Sequence, residues 1–477
     1  MRFYRSRVTY AEKRKASLVI APFALFSLFI ALTALSPHTT TLEKADPFVL
    51  KAIQNNEDFY ATVVGERISV SNALREWHFG DLSIYYTRIS AEEAKRLLQD
   101  ERLLYIYGWG VVSLSDHREQ TKVYLPPHSF KTSELYPFDP KIDAKRYIHL
   151  ANQLYTGKGV TIAVIDTGVD YLHEDLFYAD RTVLKALVST IYKDSSGKPL
   201  EINVVDATKS ELEQILQLYD LPKVAEKKDL IFQDMNGHGT HVIGIIAGQG
   251  NANPLYRGIA TGARVISIKA FYDKGYATEE TILDALQWIY DNAEKYDIKV
   301  VSGSFGSASG SKKPTPTELA VRKISSEKNI VFFFASGNAG AILGTVLSPS
   351  RDYSCFSVGA IDPYTGKLAI FSSVGEPYPP IAPQDWIKPD FVGAGVNVIS
   401  LRTRFLEGDP YLVASGTSMA TPSVAGVYAC FYEFFLEKYG RYPTKEDFIT
   451  FVRNYGLTYN PLWKDFITGY GLPQCPR

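Results

Sequence analysis

Beyond residue 150 the chain alternates between short apolar runs that end in small or polar residues and longer stretches with helical spacing. The runs are "GVTIAVID" (159–166), "ARVISIKAF" (263–271), "IKVVSGS" (298–304), "NIVFFFASGN" (329–338) and "CFSVGAI" (355–361). Strands without an apolar–polar alternation are buried on both faces, as in a parallel sheet. Between them, "EETILDALQWIYDNAEKY" (279–296) and "TELAVRKISSEK" (317–328) place apolar residues at helical intervals. The pattern predicts an α/β fold, a mostly parallel sheet with helices on both faces, with functional groups where strands end and helices begin. No internal repeat is evident.

Upstream the pattern is shorter and mixed. "FYATVVGERISV" alternates like a strand, "ISAEEAKRLLQDE" is helical with Ser90 as its cap, and "RLLYIYGWGVVSL" is strand-like again. This predicts a small α+β, ferredoxin-like unit over 56–118. A segment with Pro126, Pro127, Pro137 and Pro140 follows, so 119–140 reads as a linker and 141–477 as the main domain. Residues 37–55 read as a polar, Thr-rich linker.

Residues 1–36 stand apart. Arg2, Arg5, Arg7, Lys13, Arg14 and Lys15 outweigh Glu12, and Ser17 to Leu35 then runs 19 residues without a charge. As a helix this run measures roughly 28 Å, close to the hydrocarbon thickness of a bilayer. It reads as a long signal peptide or as an uncleaved membrane anchor, with the anchor favoured by its length. Either way the basic flank places the residues after 36 outside the cytoplasm. Over the whole chain Lys+Arg 51 against Asp+Glu 52 leaves a net charge of −1, and no field directs the chain to nucleic acid. Cys355, Cys430 and Cys475 are too scattered for a disulfide framework or a zinc site, leaving room for one bridge and one thiol.

Four polar residues sit at the predicted strand ends and helix starts. Asp166 ends an apolar run, His238 lies in "NGHGTHVIGIIAG", Asn338 closes "FFFASGN", and Ser418 lies in "GTSMATPSVAG". Taken singly each has an ordinary reading: a structural acid, a packed histidine, a turn asparagine, a helix cap. His241 invites a metal, yet no H-E-x-x-H or adjoining carboxylate completes a site, so it reads as structural. Together the four supply an orienting acid, a base, an oxyanion donor and a nucleophile.

In the order Asp, His, Ser the chain resembles a subtilisin-type serine protease. "VIDTGVDYLHEDL", "NGHGTHVIGIIAG", "ASGNAG" and "GTSMATPSVAG" match that family's four motifs, and "GIATGARVISIK" and "KPDFVGAGVNVIS" add weaker matches. The resemblance covers about 140–475. It implies a triad of Asp166, His238 and Ser418, with Asn338 and the Ser418 backbone N–H as oxyanion hole. It also implies that Gly303, Ser304, Phe305 and Gly306, with Ala335, Ser336 and Gly337, line the substrate subsites. Residues 56–118 resemble the family's inhibitor-type propeptide, which implies a zymogen whose own propeptide blocks the cleft.

The chain departs from the family in places. Residues 177–232 read as an insertion, with control of substrate access and surface decoration both open. Thr261 stands where the family has Pro, Ser423 where it often has His, and "VVSGSFG" replaces a commoner pattern. No cofactor is needed for the chemistry. Structural calcium is common in the family, and Asp175 matches a frequent ligand, with 248–258 as the loop that would close the site. The implied partners are polypeptide substrates, the propeptide, and a membrane through 17–35 if that segment is retained. The rival readings are a narrow processing or tripeptidyl peptidase and an inert binding protein on the same fold.

Overall fold

The computed structural model describes residues 44–108, 122–124, 145, 148, 153–226, 228–308, 313–377, 383–460 and 464–477. The basic and apolar segment 1–36 lies outside them. Among the described residues no helix is long and apolar enough to cross a membrane.

Residues 44–108 form a small α+β unit. Its strands β1 (Phe59–Glu66), β2 (Arg75–Phe79), β3 (Leu82–Ile89) and β4 (Leu103–Gly108) make an antiparallel sheet in the order β2-β3-β1-β4. The helices α1 (Pro47–Asn55) and α2 (Ala91–Leu98) complete its core through Val49, Ala52, Ala94 and Leu97, packed with Ala61, Val63 and Ile106. Residues 47–55, expected as linker, are therefore helix. Asp46 starts it, with Oδ1 accepting the Val49 N–H at 2.9 Å, Pro47 in the first helical position, and Oδ2 accepting the Gly108 N–H at 2.7 Å. Ser90 caps α2 through the Glu93 N–H at 3.2 Å.

The second face of this sheet carries Val64, Trp77, Phe79 and Ile84 into a core shared with the main domain. Trp77 Nε1 donates to Asp284 Oδ1 at 2.9 Å, and Arg75 pairs with Glu280 and Asp284. Burial pushes the Asp284 carboxyl up to about 6, against Trp77 and Arg75, which draw it down.

In the main domain β5 (Lys122–Tyr124) lies apart from the large sheet. That sheet is built from β6 (Thr161–Asp166), β9 (Leu184–Lys193), β10 (Pro199–Asn203), β11 (Arg264–Lys269), β13 (Ile298–Gly303), β14 (Val331–Ala335), β15 (Phe356–Asp362), β16 (Lys367–Leu368) and β17 (Phe391–Ala394). Its order is β10-β9-β11-β6-β13-β14-β15-β16, with β17 also on β15. All pairs are parallel except β10 with β9 and β16 with β15. Three two-stranded antiparallel sheets accompany it: β7 (Phe177–Tyr178) with β8 (Arg181–Thr182), β12 (Tyr276–Thr278) with β5, and β18 (Val398–Leu401) with β19 (Tyr411–Ala414).

The continuous apolar runs follow from helices on both faces. In β6, Ile162 and Val164 point into one core, while Ala163 and Ile165 point into the other. The first core contains α5 (His238–Ala247), α8 (Thr417–Tyr439) and α9 (Lys445–Tyr455); the second contains α6 (Glu279–Asn292) and α7 (Pro316–Lys328).

Residues 177–232, read from sequence as an insertion, supply β9, the edge strand β10, and then α3 (Lys209–Ile215), a π turn (Leu216–Asp220) and α4 (Leu221–Glu226). Asp220 is buried, and its Oδ1 accepts the N–H groups of Ile231 at 2.6 Å and Phe232 at 2.9 Å. Its Oδ2 accepts the Tyr171 hydroxyl at 2.7 Å. The segment thus fastens the chain that runs on into α5.

Candidate active site

Asp166 is the last residue of β6 and His238 the first of α5. Strand pairing fixes one and helix packing the other, and they meet with His238 Nδ1 2.7 Å from Asp166 Oδ1. Both side chains are buried. The close approach depends on Gly239, where a β-carbon would lie 2.2 Å from the Gly168 carbonyl oxygen and 3.2 Å from Asp166 Oδ1.

A second carboxylate lies behind this pair. Asp234 is fully buried and takes five donors: the Thr167 hydroxyl at 2.9 Å, the N–H groups of Asn236 and Gly237 at 3.0 and 2.8 Å, and the Thr240 N–H and hydroxyl at 2.8 and 2.7 Å. Thr167 in turn accepts the Gly239 N–H at 2.9 Å and lies 3.3 Å from Asp166 Oδ1. The strand bearing Asp166 and the turn bearing His238 are therefore pinned to one anion. Burial pushes the Asp234 carboxyl above its usual range, opposed by Lys269 and the donors. Lys269 Nζ donates to the Thr167 carbonyl and to Asp273, both at 2.6 Å. Sequence reasoning passed over Asp234 and Thr167; the visible signal was an acid four residues before His238 and a hydroxyl next to Asp166.

Ser418 is the second residue of α8, in the first turn, where a backbone N–H has no carbonyl of its own helix to meet. Pro422 stands four residues on and has no N–H for the Ser418 carbonyl. Ser304 fills that gap: its hydroxyl donates to the Ser418 carbonyl at 2.8 Å, and the Ser418 hydroxyl donates to the Ser304 carbonyl at 3.2 Å.

Asn338, in the turn after β14, accepts at Oδ1 from the Thr417 N–H and the Thr417 hydroxyl, both at 2.9 Å. Its Nδ2 is thereby turned toward the start of α8. A β-carbon placed on Gly416 would lie 3.3 Å from Asn338 Nδ2 and 3.6 Å from the Ser418 backbone nitrogen, so both nitrogens border the same small space.

Gly303 ends β13 and Ala335 ends β14, with Ser304 to Gly306 and Ser336 to Gly337 just beyond. Phe305 faces away from any cleft: it is buried against Phe271 and Phe334 in the sheet's second core. The Ser336 hydroxyl is taken by the Ser373 carbonyl at 3.3 Å, and the Gly337 N–H by Thr417 Oγ1 at 3.3 Å. Whatever these segments offer a substrate, they offer mainly through backbone.

His241 stands apart from the group. Its Nε2 lies 3.1 Å from the Val398 and Leu412 carbonyls, and burial, with Lys145 nearby, pushes its imidazolium down to about 3. It is a neutral tie between α5 and the β18–β19 hairpin. Asp175 is also remote, buried under the 248–258 loop.

A strand-end acid paired to a buried imidazole, a hydroxyl at a helix start and an amide at a strand end are group types that acyl transfer uses. The comparisons agree in kind. The model of the subtilase family matches residues 157–450. The chain is 31% identical over 300 residues to the serine protease AprX of Bacillus subtilis (strain 168), covering 58% of this chain and 58% of that protein. It is 31% identical over 271 residues to the thermophilic serine proteinase of Bacillus sp. (strain AK1), covering 57% and 51%. It therefore spans between half and three fifths of these relatives' length. The solved structure of sphericase superposes with a TM-score of 0.54 at 23% identity, covering 70% of this chain and 97% of that one, a likeness of fold.

Proposed function

The chain belongs to the subtilase family, and from that premise we propose that it is a serine endopeptidase, made as a zymogen and acting on polypeptides through an acyl-enzyme. The observation that carries this is the 2.7 Å Asp166–His238 pair at the carboxyl edge of the sheet, where Ser304 beyond β13 also ties down Ser418.

Ser418 Oγ first turns from the Ser304 carbonyl to His238 Nε2. As Oγ bonds to the scissile carbonyl carbon, its proton passes to Nε2, and Asp166 holds the Nδ1–H and steadies the imidazolium. The carbonyl oxygen becomes an anion that the Asn338 amide and the Ser418 N–H receive. When the intermediate collapses, the C–N bond breaks and His238 returns the proton to the departing amine. Water then repeats the sequence on the ester and restores Ser418. The backbone beyond β13 and β14 is the natural bed for an extended substrate, and Gly303 to Gly306 with Ala335 to Gly337 supply it.

The unit at 44–108 is the propeptide in this reading, held on α6 through Arg75 and Trp77. The enzyme works beyond the cytoplasm, secreted or held by residues 17–35. No cofactor enters the chemistry.

The test is a fluorophosphonate probe on purified, matured protein made from 37–477, with the new N-terminus sequenced. Labelling at Ser418, absent in Ser418→Ala together with processing, is the expected result. A folded, processed protein that takes no label would be an inert binding protein instead. Mapping the cleaved products separates a broad endopeptidase from a narrow processing or tripeptidyl peptidase.

A further inference from the structure

The family resemblance leads to a structural cation at Asp175, and the groups around Asp175 do not fit one. A calcium site gathers about six to eight oxygen lone pairs at 2.3–2.6 Å. What converges here is protons. Asp175 is fully buried in the turn before β7; its Oδ1 accepts the Ala252 N–H at 2.9 Å and its Oδ2 accepts the Tyr411 hydroxyl at 2.7 Å. The carbonyl oxygens that face the loop are likewise engaged. Asn251 Nδ2 donates to the Glu174 and Phe177 carbonyls at 2.8 and 2.7 Å, and the Gln249 N–H donates to the Asp175 carbonyl at 2.7 Å. Gln249 Nε2 takes the Ala247 and Thr261 carbonyls at 2.7 and 2.8 Å. No group of three His, Cys, Asp or Glu side chains stands together among the described residues.

The phenol is also built into its place. Tyr411 Oη accepts the Asn253 N–H at 2.8 Å while donating to Asp175, and its ring packs edge-on against Tyr256 at 4.9 Å. His173 Nε2 lies 2.9 Å from the carbonyl of Pro410, the preceding residue.

We propose that Tyr411 takes the place of a structural cation in this chain, closing the 248–258 loop on Asp175 by hydrogen bonds alone. A cation balances a buried carboxylate with charge and gathers carbonyls around itself. The phenol gives Asp175 a hydrogen bond instead, and the Asn251 and Gln249 amides gather the carbonyls. Because Tyr411 opens β19, seven positions before Ser418, the same contact ties the loop to the hairpin that leads into α8. Calcium would have to displace two donors from Asp175 to enter.

The test is thermal unfolding of the full chain carrying Ser418→Ala, which removes self-digestion, in excess chelator and in millimolar calcium. The two midpoints should agree within about 2 °C, since a ligand that does not bind the folded state does not shift it. Tyr411→Phe should lower the midpoint by several degrees and open 248–258 to limited proteolysis, in chelator and calcium alike. A calcium shift of about 5 °C or more that disappears in Asp175→Asn would overturn the proposal. A calcium shift that survives Asp175→Asn arises elsewhere in the chain and agrees with it. Tyr411→Phe with an unchanged midpoint and an intact loop would also overturn it.

Discussion

Thr417 holds Asn338 by two hydrogen bonds, its backbone N–H and its hydroxyl both donating to Asn338 Oδ1 at 2.9 Å. With the amide oxygen occupied, the amide nitrogen has one orientation, toward Gly416 and the Ser418 backbone nitrogen. In the proposed mechanism, the residue before Ser418 thus aims the amide assigned to the oxyanion.

Asn338→Ala should lower kcat by about 10²–10³ with KM nearly unchanged, a magnitude taken over from subtilisin itself. Thr417→Val removes the hydroxyl's hydrogen bond and leaves only the backbone one, which loosens the amide and should lower kcat by up to about tenfold. Steady-state kinetics on a small amide substrate, with active sites titrated, checks both. A kcat within a few-fold of the parent in Asn338→Ala would remove that residue from the mechanism.

Asp234→Asn turns one acceptor oxygen into a donor facing donors. It should destabilise the folded protein by about 2–4 kcal/mol and lower kcat, because the turn bearing His238 loses its anchor. Urea unfolding on a Ser418→Ala background reads the first effect, and titrated kinetics the second. Wild-type values in both would make the buried anion dispensable.

The boundaries of the proposed propeptide can be read by inhibition in trans. A fragment starting at residue 56 lacks Val49 and Ala52 of its own core, whereas one starting at residue 44 keeps them. The longer fragment should slow the matured enzyme at lower concentration, and Asp284→Asn, which weakens the Arg75 and Trp77 contacts, should reduce its affinity about tenfold. Equal potency of the two fragments would show that α1 is not needed.

His241 gives a pH dependence with a definite sign. Its folded value, near 3, lies below the ordinary 6.5, so its contribution to stability is complete above 6.5. As pH falls from there toward 3, the unfolded chain takes up a proton that the folded chain refuses, at about 1.4 kcal/mol per unit. His241→Gln should flatten this part of the acid slope, as measured by urea midpoints between pH 7 and 4. A slope unchanged by the substitution would place the acid sensitivity elsewhere.

Much of this was legible because parallel strands write themselves plainly. A strand buried on both faces is a continuous apolar run, and the residue that breaks it marks the sheet's carboxyl edge, which is how Asp166 and Asn338 stand out. Ser90 was equally plain as a cap. Residues 47–55 looked like linker because the helix is short, although Asp46-Pro47 is a cap followed by a proline in the first turn. Asp234 carried little signal of its own in the sequence; its importance comes from Thr167 and Thr240, which only the fold brings to it. Phe305 was read as lining a subsite, and sequence position alone could not show that its ring turns into the core.

Asp220 sets a limit on shortening this protein. Its carboxylate satisfies the Ile231 and Phe232 N–H groups inside the molecule, just upstream of Asp234 and His238. Excising the helical arm that carries it would leave those donors dry and slacken the approach to α5. A trimmed version would need a transplanted acceptor at the same spot, so the arm behaves as a strut and cannot be pruned like an ornamental loop.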